Sequence, residues 1–346
     1  MSTSIRDVAA RAGVSIATVS RVMNGSLLVK REYREAVLRA VRQLDYVPHA
    51  VARALITGRS RTMAVVLPDM HGEFFSELIR ELDQCAHAHG QNLLVASLHG
   101  NVAEARRVLG LLHGQVDGVI LMVPFNDAAE RLATVPFTVP TVLLNAPAPV
   151  NGCPTLTVDN AGGARQVVQH FVSMGYRTMV HIGGPSGNFD AGERARGFRA
   201  AVVEAGLPVH RDIPGDYSER SGYLAGQLIV KRRKRPRAVF AANDNMAVGC
   251  LEALTEANVR VPEDIAVAGF DDVPIVRFTR PSLTSVRFPI AQQGVEAFEW
   301  LMKAVQRKSG EPAPAAPREQ SLPTTLIVRA STDPRAPIRT SAQSGR

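Results

Sequence analysis

Cysteine is scarce in this chain: Cys85, Cys153 and Cys250 are the three present among 346 residues. An odd number at such wide spacing makes no framework of paired bridges, which argues against a secreted, disulfide-stapled scaffold. Long apolar runs are missing as well, since no uncharged apolar stretch reaches the roughly 18 residues that a membrane-spanning helix needs. The opening MSTSIRDVAARAG carries charges where a signal peptide needs an apolar block. The expected compartment is therefore the cytoplasm, with no membrane partner. Catalytic and cofactor signatures are absent too. His181-Ile-Gly-Gly-Pro-Ser-Gly has a strand-then-glycine character but lacks G-x-G-x-x-G and the P-loop lysine, and no G-x-S-x-G elbow occurs. His87 and His89 stand two apart on an expected helix, face different ways, and have no cysteine or carboxylate at ligand spacing. No metal, no cofactor and no enzymatic activity are expected. Nor is there a repeat at the periods of about 20–50 residues that mark a solenoid.

What is present is ordinary in bulk and uneven in place. Apolar residues make up 45% and charged residues 21%, as in a soluble globular protein rather than a disordered or collagenous one. The length suits two or three domains of about 100–200 residues. Residues 1–61 carry eleven Lys/Arg against four Asp/Glu, a surplus of seven, while the whole chain has a net charge of +8. Residues 62–346 are thus left with a net +1. A small basic head on a nearly neutral body points to a polyanion-binding module joined to something else.

The head reads as three short helices. Ser4 followed by Asp7 is a capping-box-like pair, and Ile5, Val8, Ala9 and Ala12 then recur at helical spacing. Gly13 stops this helix, Ser15 can cap a second from Ile16 to about Asn24, and a third fits 31–45. After Pro48, the stretch from His49 to Ile56 is helix-competent but only about two turns long, hence marginal alone in water. Gly58-Arg59-Ser60-Arg61 reads as a linker.

The body alternates strands and helices in two series. Strands are expected at Met63–Leu67, Asn92–Ser97, Gly118–Val123, Thr141–Asn145 and Thr155–Val158, with helices at about 75–89 and 102–113. The second series has strands at Thr178–Gly183, Ala238–Ala242, Ile265–Gly269 and Leu283–Val286, with helices near 192–205, 219–232, 244–257 and 290–307. Such alternation implies two parallel sheets flanked by helices, in two similar halves with a cleft between them at the C-terminal ends of the strands. Residues 309–319 read as a Pro/Ala loop.

The sharpest chemical signal is Ala9-x3-Gly13-Val14-Ser15-Ile16-x-Thr18-Val19-Ser20-Arg21. Small Ala9, Gly13 at the turn, and inward Val14 and Val19 let two helices meet as a helix-turn-helix requires. The second helix then presents Ile16, Ala17, Ser20 and Arg21 near its N-terminal end, where such helices touch base edges. Arg21 can pair bidentately with guanine, Ile16 and Ala17 can meet a thymine methyl, and Ser15, Thr18 and the helix N-terminus can hold phosphates. The densest basic run, Lys231-Arg-Arg-Lys-Arg-Pro-Arg237, could also bind nucleic acid, but it reads better as a helix C-terminus plus loop, where cations are favourable.

DVAARAGVSIATVSRVMNG, YVPHAVARAL and GRSRTMAVVLPD, followed by HIGGP, GERARGF, ANDNMAVGCLEAL, VPEDIAVAGFDD and RPSLTSVR, resemble the LacI/GalR family of bacterial transcription regulators over about residues 4–330. The resemblance implies an all-α DNA-binding head (1–47), a hinge helix and linker (48–61), and a two-lobed body like a periplasmic binding protein (62–330). Lobe one would take about 62–160 plus 290–322 and lobe two about 161–289 plus 323–330, with 331–346 a disordered tail. It further implies a homodimer on a near-palindromic operator, with Leu55 of the hinge helix entering the minor groove as an apolar wedge. The DNA-facing candidates thereby extend to Asn24, Tyr46, His49, Ala52 and Leu55. Lys30 replaces the small polar cap usual before the third helix, and His49 the usual Asn at the hinge start.

In the body, the family's effector contacts map onto Phe74 and Phe75, Asp159, Arg194, Tyr217, Asn243 or Asp244, and Asp271; Asn243 is preferred. Carboxylates and Arg suit neighbouring hydroxyls and aromatics suit an apolar sugar face, so a sugar or sugar derivative is the expected small-molecule effector. One of the two phenylalanines is expected to be simple core. The reading is an effector-controlled repressor, with an activator as its variant. A sugar-binding receptor of the same body fold is opposed by the basic head and the missing signal peptide, and an enzyme on a two-lobed scaffold by the absence of any nucleophile–base pair. Dimerisation is expected on apolar faces of the first lobe, and no leucine heptad after Thr332 suggests a tetramer.

Overall fold

The computed structural model describes residues 4–23, 28–46, 59–307, 319–333 and 335. The chain divides into two compact units, residues 1–61 and 62–346. Asn24, His49, Ala52, Leu55 and the expected hinge helix lie outside the described residues.

The first unit holds α1 (Ile5–Ala12), α2 (Ile16–Met23) and α3 (Arg31–Gln43). The Asp7 carboxylate starts α1 by accepting the Ser4 amide at 2.8 Å and the Ser4 hydroxyl at 2.7 Å. Gly13 ends it with φ +66°, a conformation that a side chain would strain. Ser15 Oγ accepts the Thr18 amide at 3.2 Å and so opens α2. Lys30 precedes α3 without a side-chain capping bond. Val8, Ala9, Val19, Val22, Val37 and Ala40 form the buried centre, the inward positions of three amphipathic helices.

The second unit runs β1 (Thr62–Leu67), α4 (Glu73–Ala88), β2 (Asn92–Ser97), α5 (Ala105–Leu112), β3 (Gly118–Met122), α6 (Ala128–Ala133), β4 (Thr141–Leu144), β5 (Thr155–Val158), α7 (Asn160–Ser173), β6 (Met179–Ile182), α8 (Phe189–Glu204), α9 (Glu219–Val230), β7 (Ala238–Ala241), α10 (Asp244–Glu256), β8 (Ala266–Asp271), β9 (Thr284–Arg287), α11 (Ile290–Gln306), β10 (Glu319–Leu322) and β11 (Thr325–Ile327). The first lobe is built on a six-stranded sheet in the order β10-β5-β4-β3-β1-β2, and the second on a five-stranded sheet in the order β11-β9-β8-β7-β6. Burial on both faces explains the near-continuous apolar strands. Along β1, Met63, Val65 and Leu67 pack to one side of the sheet and Ala64 and Val66 to the other.

The second sheet is parallel over β6–β9, as expected, and gains one further edge strand, β11, that pairs antiparallel with β9. Strands β1–β5 and β6–β9 run toward the cleft, and β10 is parallel within the first sheet. A chain that continues from β10 straight into the second sheet must therefore enter it against the local direction. The expected disordered tail needs correction at its start. The Ser331 hydroxyl donates to the Val267 carbonyl at 2.6 Å, and the Thr332 hydroxyl meets His170 Nε2 at 2.7 Å. Both residues are fully buried, because each short hydroxyl satisfies groups that the second sheet would otherwise leave unpaired.

Helices α9 and α10 touch backbone to backbone. A Cβ on Gly249 would fall 1.9 Å from the Glu219 carbonyl oxygen, and one on Gly222 would fall 2.0 Å from that of Met246. Glycine at these two places is what permits the crossing.

Candidate functional site

Two surfaces carry the chemistry, one on each unit. On the first, α2 turns Val19 and Val22 inward and leaves Ser15, Ile16, Ala17 and Arg21 exposed, with Thr18 and Ser20 half-buried. Ile16, an apolar side chain, is 46% exposed. These are the side chains expected to face a duplex, and Ile16, Ala17 and Arg21 are open to solvent on the side away from Val19 and Val22. Tyr46 is a correction: its ring is 7% exposed and packs in the three-helix core, since α3 ends just before it and the chain folds back.

On the second unit, a cleft of about 780 Å³ opens at the C-terminal ends of the strands, within the size range of small-molecule sites. Phe74, Phe75, Arg194, Tyr217, Asn243 and Asp271 all line it. Phe74 meets Phe75 and Phe288 edge-on, at 5.3 and 4.9 Å between ring centroids, so both phenylalanines border the cavity while also packing on the core. Asn243 starts α10, accepting the Met246 amide at 3.0 Å while its Nδ2 donates to the Tyr217 carbonyl at 3.0 Å.

Arg194 is the electrostatic centre. Its guanidinium lies 3.7 Å from the Phe270 ring centroid, its Nε donates to Asn160 Oδ1 at 2.8 Å, and its Nη1 donates to the Ala242 carbonyl at 2.5 Å. Asp271 Oδ1 stands 3.4 Å away. Burial pushes the Asp271 carboxyl up to about 7, with the Arg194 charge pulling it back. Burial likewise raises Asp190, opposed by Arg194 and by hydrogen bonds from Asn145 and Asn160. Asp271 has φ +113°, and Asn145, Tyr217 and Asp272 also lie at positive φ. Backbone strain of this kind, gathered around a cavity, persists only where the surroundings over-determine it. Here the supports are visible: Asp272 accepts Arg287 Nε at 2.8 Å and is also bonded by Arg329, and Asp244 accepts the Val273 amide at 3.0 Å and the Ser285 hydroxyl at 2.6 Å. Asp244 is thus a buried brace beneath Asn243.

Asp159 is a second correction. It is exposed, does not line the cleft, and accepts the Gly162 amide at 2.7 Å as the N-cap of α7; following a strand is not enough when the next helix needs a cap. A buried polar contact between the lobes is made instead by Asn145, whose Nδ2 donates to Asp190 Oδ2 at 2.7 Å. Gln293 Nε2 holds Asn145 Oδ1 at 2.7 Å, and Asn160 Nδ2 holds Asp190 Oδ1 at 2.9 Å. Asn145 follows β4 and Asp69 follows β1, so the strand-end rule could have found both; nothing local marks Asp190. Nearby, Phe125 and Asn188 form an isolated antiparallel bridge across the lobes. In it the Asn126 amide donates to the Gly187 carbonyl at 2.9 Å and the Phe189 amide to the Pro124 carbonyl at 2.8 Å.

Residues 4–49 match bacterial regulatory proteins of the lacI family, and residues 168–332 match a periplasmic binding protein-like domain. The ribose operon repressor of Halalkalibacterium halodurans is 32% identical over 334 residues, covering 95% of this chain and 97% of its own. The lac repressor dimer bound to operator and the anti-inducer ONPF superposes with TM-score 0.81 at 26% identity, covering 96% of this chain and 99% of that one. The transcriptional regulator CelR in complex with cellobiose has TM-score 0.68 at 32% identity over 95% of this chain and 99% of that one.

Proposed function

The chain belongs to the LacI family of bacterial regulatory proteins, and from that premise we propose that it is a cytoplasmic repressor, without catalytic activity, that reads a near-palindromic operator as a dimer through α2 and answers to a neutral polyhydroxy effector held in the cleft. One observation carries the choice of effector. Among the lining residues are Asp69, Asp127, Asp190, Asp216 and Asp271 but no lysine and only two arginines. Both arginines are already engaged, Arg131 by Asp127 and Arg194 by Asp271. A phosphate or carboxylate on the ligand would meet surplus carboxylates with no spare lysine or arginine among the described lining residues, and the one histidine, His71, already faces Glu219 at 3.4 Å. Neutral hydroxyls, by contrast, can bridge Asp271 and Arg194 in one bidentate arrangement and lay an apolar sugar face on Phe74 or Phe75. Sugar ligands among the relatives, such as the cellobiose of CelR, agree with that chemistry.

Closing of the lobes on the effector is the step that carries the signal. A ligand shifts that equilibrium only by binding one lobe arrangement better than the other. The regulatory link onward to the DNA runs through residues 48–61, proposed as hinge and linker, and the effector domain is proposed to span 62–330.

Thermal melting tests the effector assignment. Neutral mono- and disaccharides, sugar acids and sugar phosphates are each added to the full chain. A neutral sugar at a hundred times its Kd should stabilise by about 2.7 kcal/mol and raise the midpoint visibly; a shift produced only by the anionic sugars would sink the assignment. For the reading head, Arg21→Ala should relax preference at one base pair of each half-site by about 1–3 kcal/mol, roughly 5- to 150-fold. Selection of duplexes from a randomised pool, by wild type and variant side by side, checks this. An unchanged consensus would remove Arg21 from base recognition.

A further inference from the structure

The run Lys231–Arg237 is only half explained by the fold. Arg235 Nε donates to the Val230 carbonyl at 3.0 Å, closing the C-terminus of α9 as the sequence reading expects, and Arg237 Nη1 donates to the Asp264 carbonyl at 2.6 Å. Neighbouring Arg177 does similar work for α7, donating to the Val172 carbonyl at 2.8 Å. Lys231, Arg232, Arg233 and Lys234 have no such employment. Three of these four are exposed and Arg232 is half-buried. None of them forms an ion pair among the described residues, and the nearby Asp264 carboxylate is taken by Arg260 at 2.8 Å.

Four adjacent uncompensated cations repel one another, and a body whose net charge outside the head is +1 has concentrated six of its cations in seven residues. The run contains no aromatic side chain and no apolar one except Pro236, which is poor material for the desolvated anchors of a protein interface. It is good material for a partner recognised by charge density alone. Gathered in one turn, the four cations meet a duplex that carries about one phosphate charge per 1.7 Å of its axis, so several phosphates lie within their reach.

We propose that the Lys231–Lys234 turn is a second, sequence-independent DNA contact, which grips the phosphate backbone of a duplex segment that the head does not read. Its contribution is non-specific affinity, through release of counterions from the DNA.

The test uses the full chain and a variant in which Lys231, Arg232, Arg233 and Lys234 are all changed to Gln. Binding to a random-sequence duplex of about 60 base pairs is followed across a KCl series. The slope of log K against log salt should become shallower by about 3.6 in the variant, since each of four lost phosphate contacts removes about 0.9, with the melting midpoint unchanged. Restoring charge with four lysines should restore the slope. Equal slopes for wild type and variant would overturn the proposal. So would retention of poly-glutamate by wild type and its loss in the variant without any change on DNA, which would assign the turn to an acidic protein. A wild type that holds no duplex at all would fail the head's reading as well, so the two failures are distinguishable.

Discussion

Arg194→Leu is expected to destabilise the two-lobed unit by about 3–5 kcal/mol and to abolish the response to effector. The magnitude follows from what the substitution strands. Arg194 is 4% exposed, and Asp271, 3.4 Å away, is 9% exposed at its side chain. Removing one partner of such a pair leaves the other buried and uncompensated, which costs far more than the intact pair contributes. Asn160 and the Ala242 carbonyl would lose their donor at the same stroke. The sign of the pH dependence is set by Asp271 together with Asp190, both raised by burial and both held back by Arg194. The Asp271 carboxyl sits near 7 because burial disfavours the charge and Arg194 only partly offsets this; without Arg194 it must rise further. Acid therefore neutralises the stranded group, and the loss measured at pH 8 should shrink by pH 5. Urea unfolding at the two pH values checks this, and adding Asp271→Asn to Arg194→Leu should recover part of the loss. An equal cost at both pH values would mean that no carboxylate is left stranded by the loss of Arg194, and the Asp271→Asn step separates Asp271 from Asp190.

The second large effect is expected where the chain has no side chain at all. Gly249→Ala should lower the melting midpoint by on the order of 10 °C. The new methyl group would lie 1.9 Å from the Glu219 carbonyl oxygen and 2.8 Å from the Tyr223 nitrogen. Neither is a flexible side chain that can swing away, so α9 and α10 must part along their contact. Overpacking in a well-filled interior costs about 1–3 kcal/mol and more where backbone must move, and each kcal/mol is worth about 2–4 °C in a domain of this size. Gly192→Ala makes the same chemical change in α8, where no atom lies within 4 Å of the added Cβ. It should stabilise by about 0.5–1 kcal/mol, since alanine loses less backbone freedom in a helix. Opposite signs for one substitution at two helical glycines separate close packing from helix propensity; matching signs would refute the argument.

The strands were legible because buried parallel strands read as apolar runs. β2 and β5 match their expected bounds, and the others shift by a residue or two at the ends. β10 and β11 were hidden: Glu319–Leu322 and Thr325–Ile327 are three or four residues each, half polar, and strands only because of where the chain crosses. α7 was missed because its Asn-Ala-Gly-Gly start places two glycines, poor helix formers, in the first turn, although Asp159 caps it. In the head, the inward and outward faces of α2 followed from spacing alone. Tyr46 did not, since an aromatic beyond the last helix gives no periodicity to read. In the cleft, residues carried by motif were found, whereas Asn145 and Asp190 meet only in three dimensions, forty-five positions apart.

The bridge at Phe125 and Asn188 has a use beyond holding the lobes together. Its two amides, Asn126 and Phe189, have their acceptors on the opposite lobe, so neither can stay shielded from solvent once the halves separate. Deuterium uptake at these two positions is a built-in clock for breathing of the cleft. It needs no attached dye and no crystal of a second state, and it would run slower for any ligand that keeps the jaws shut.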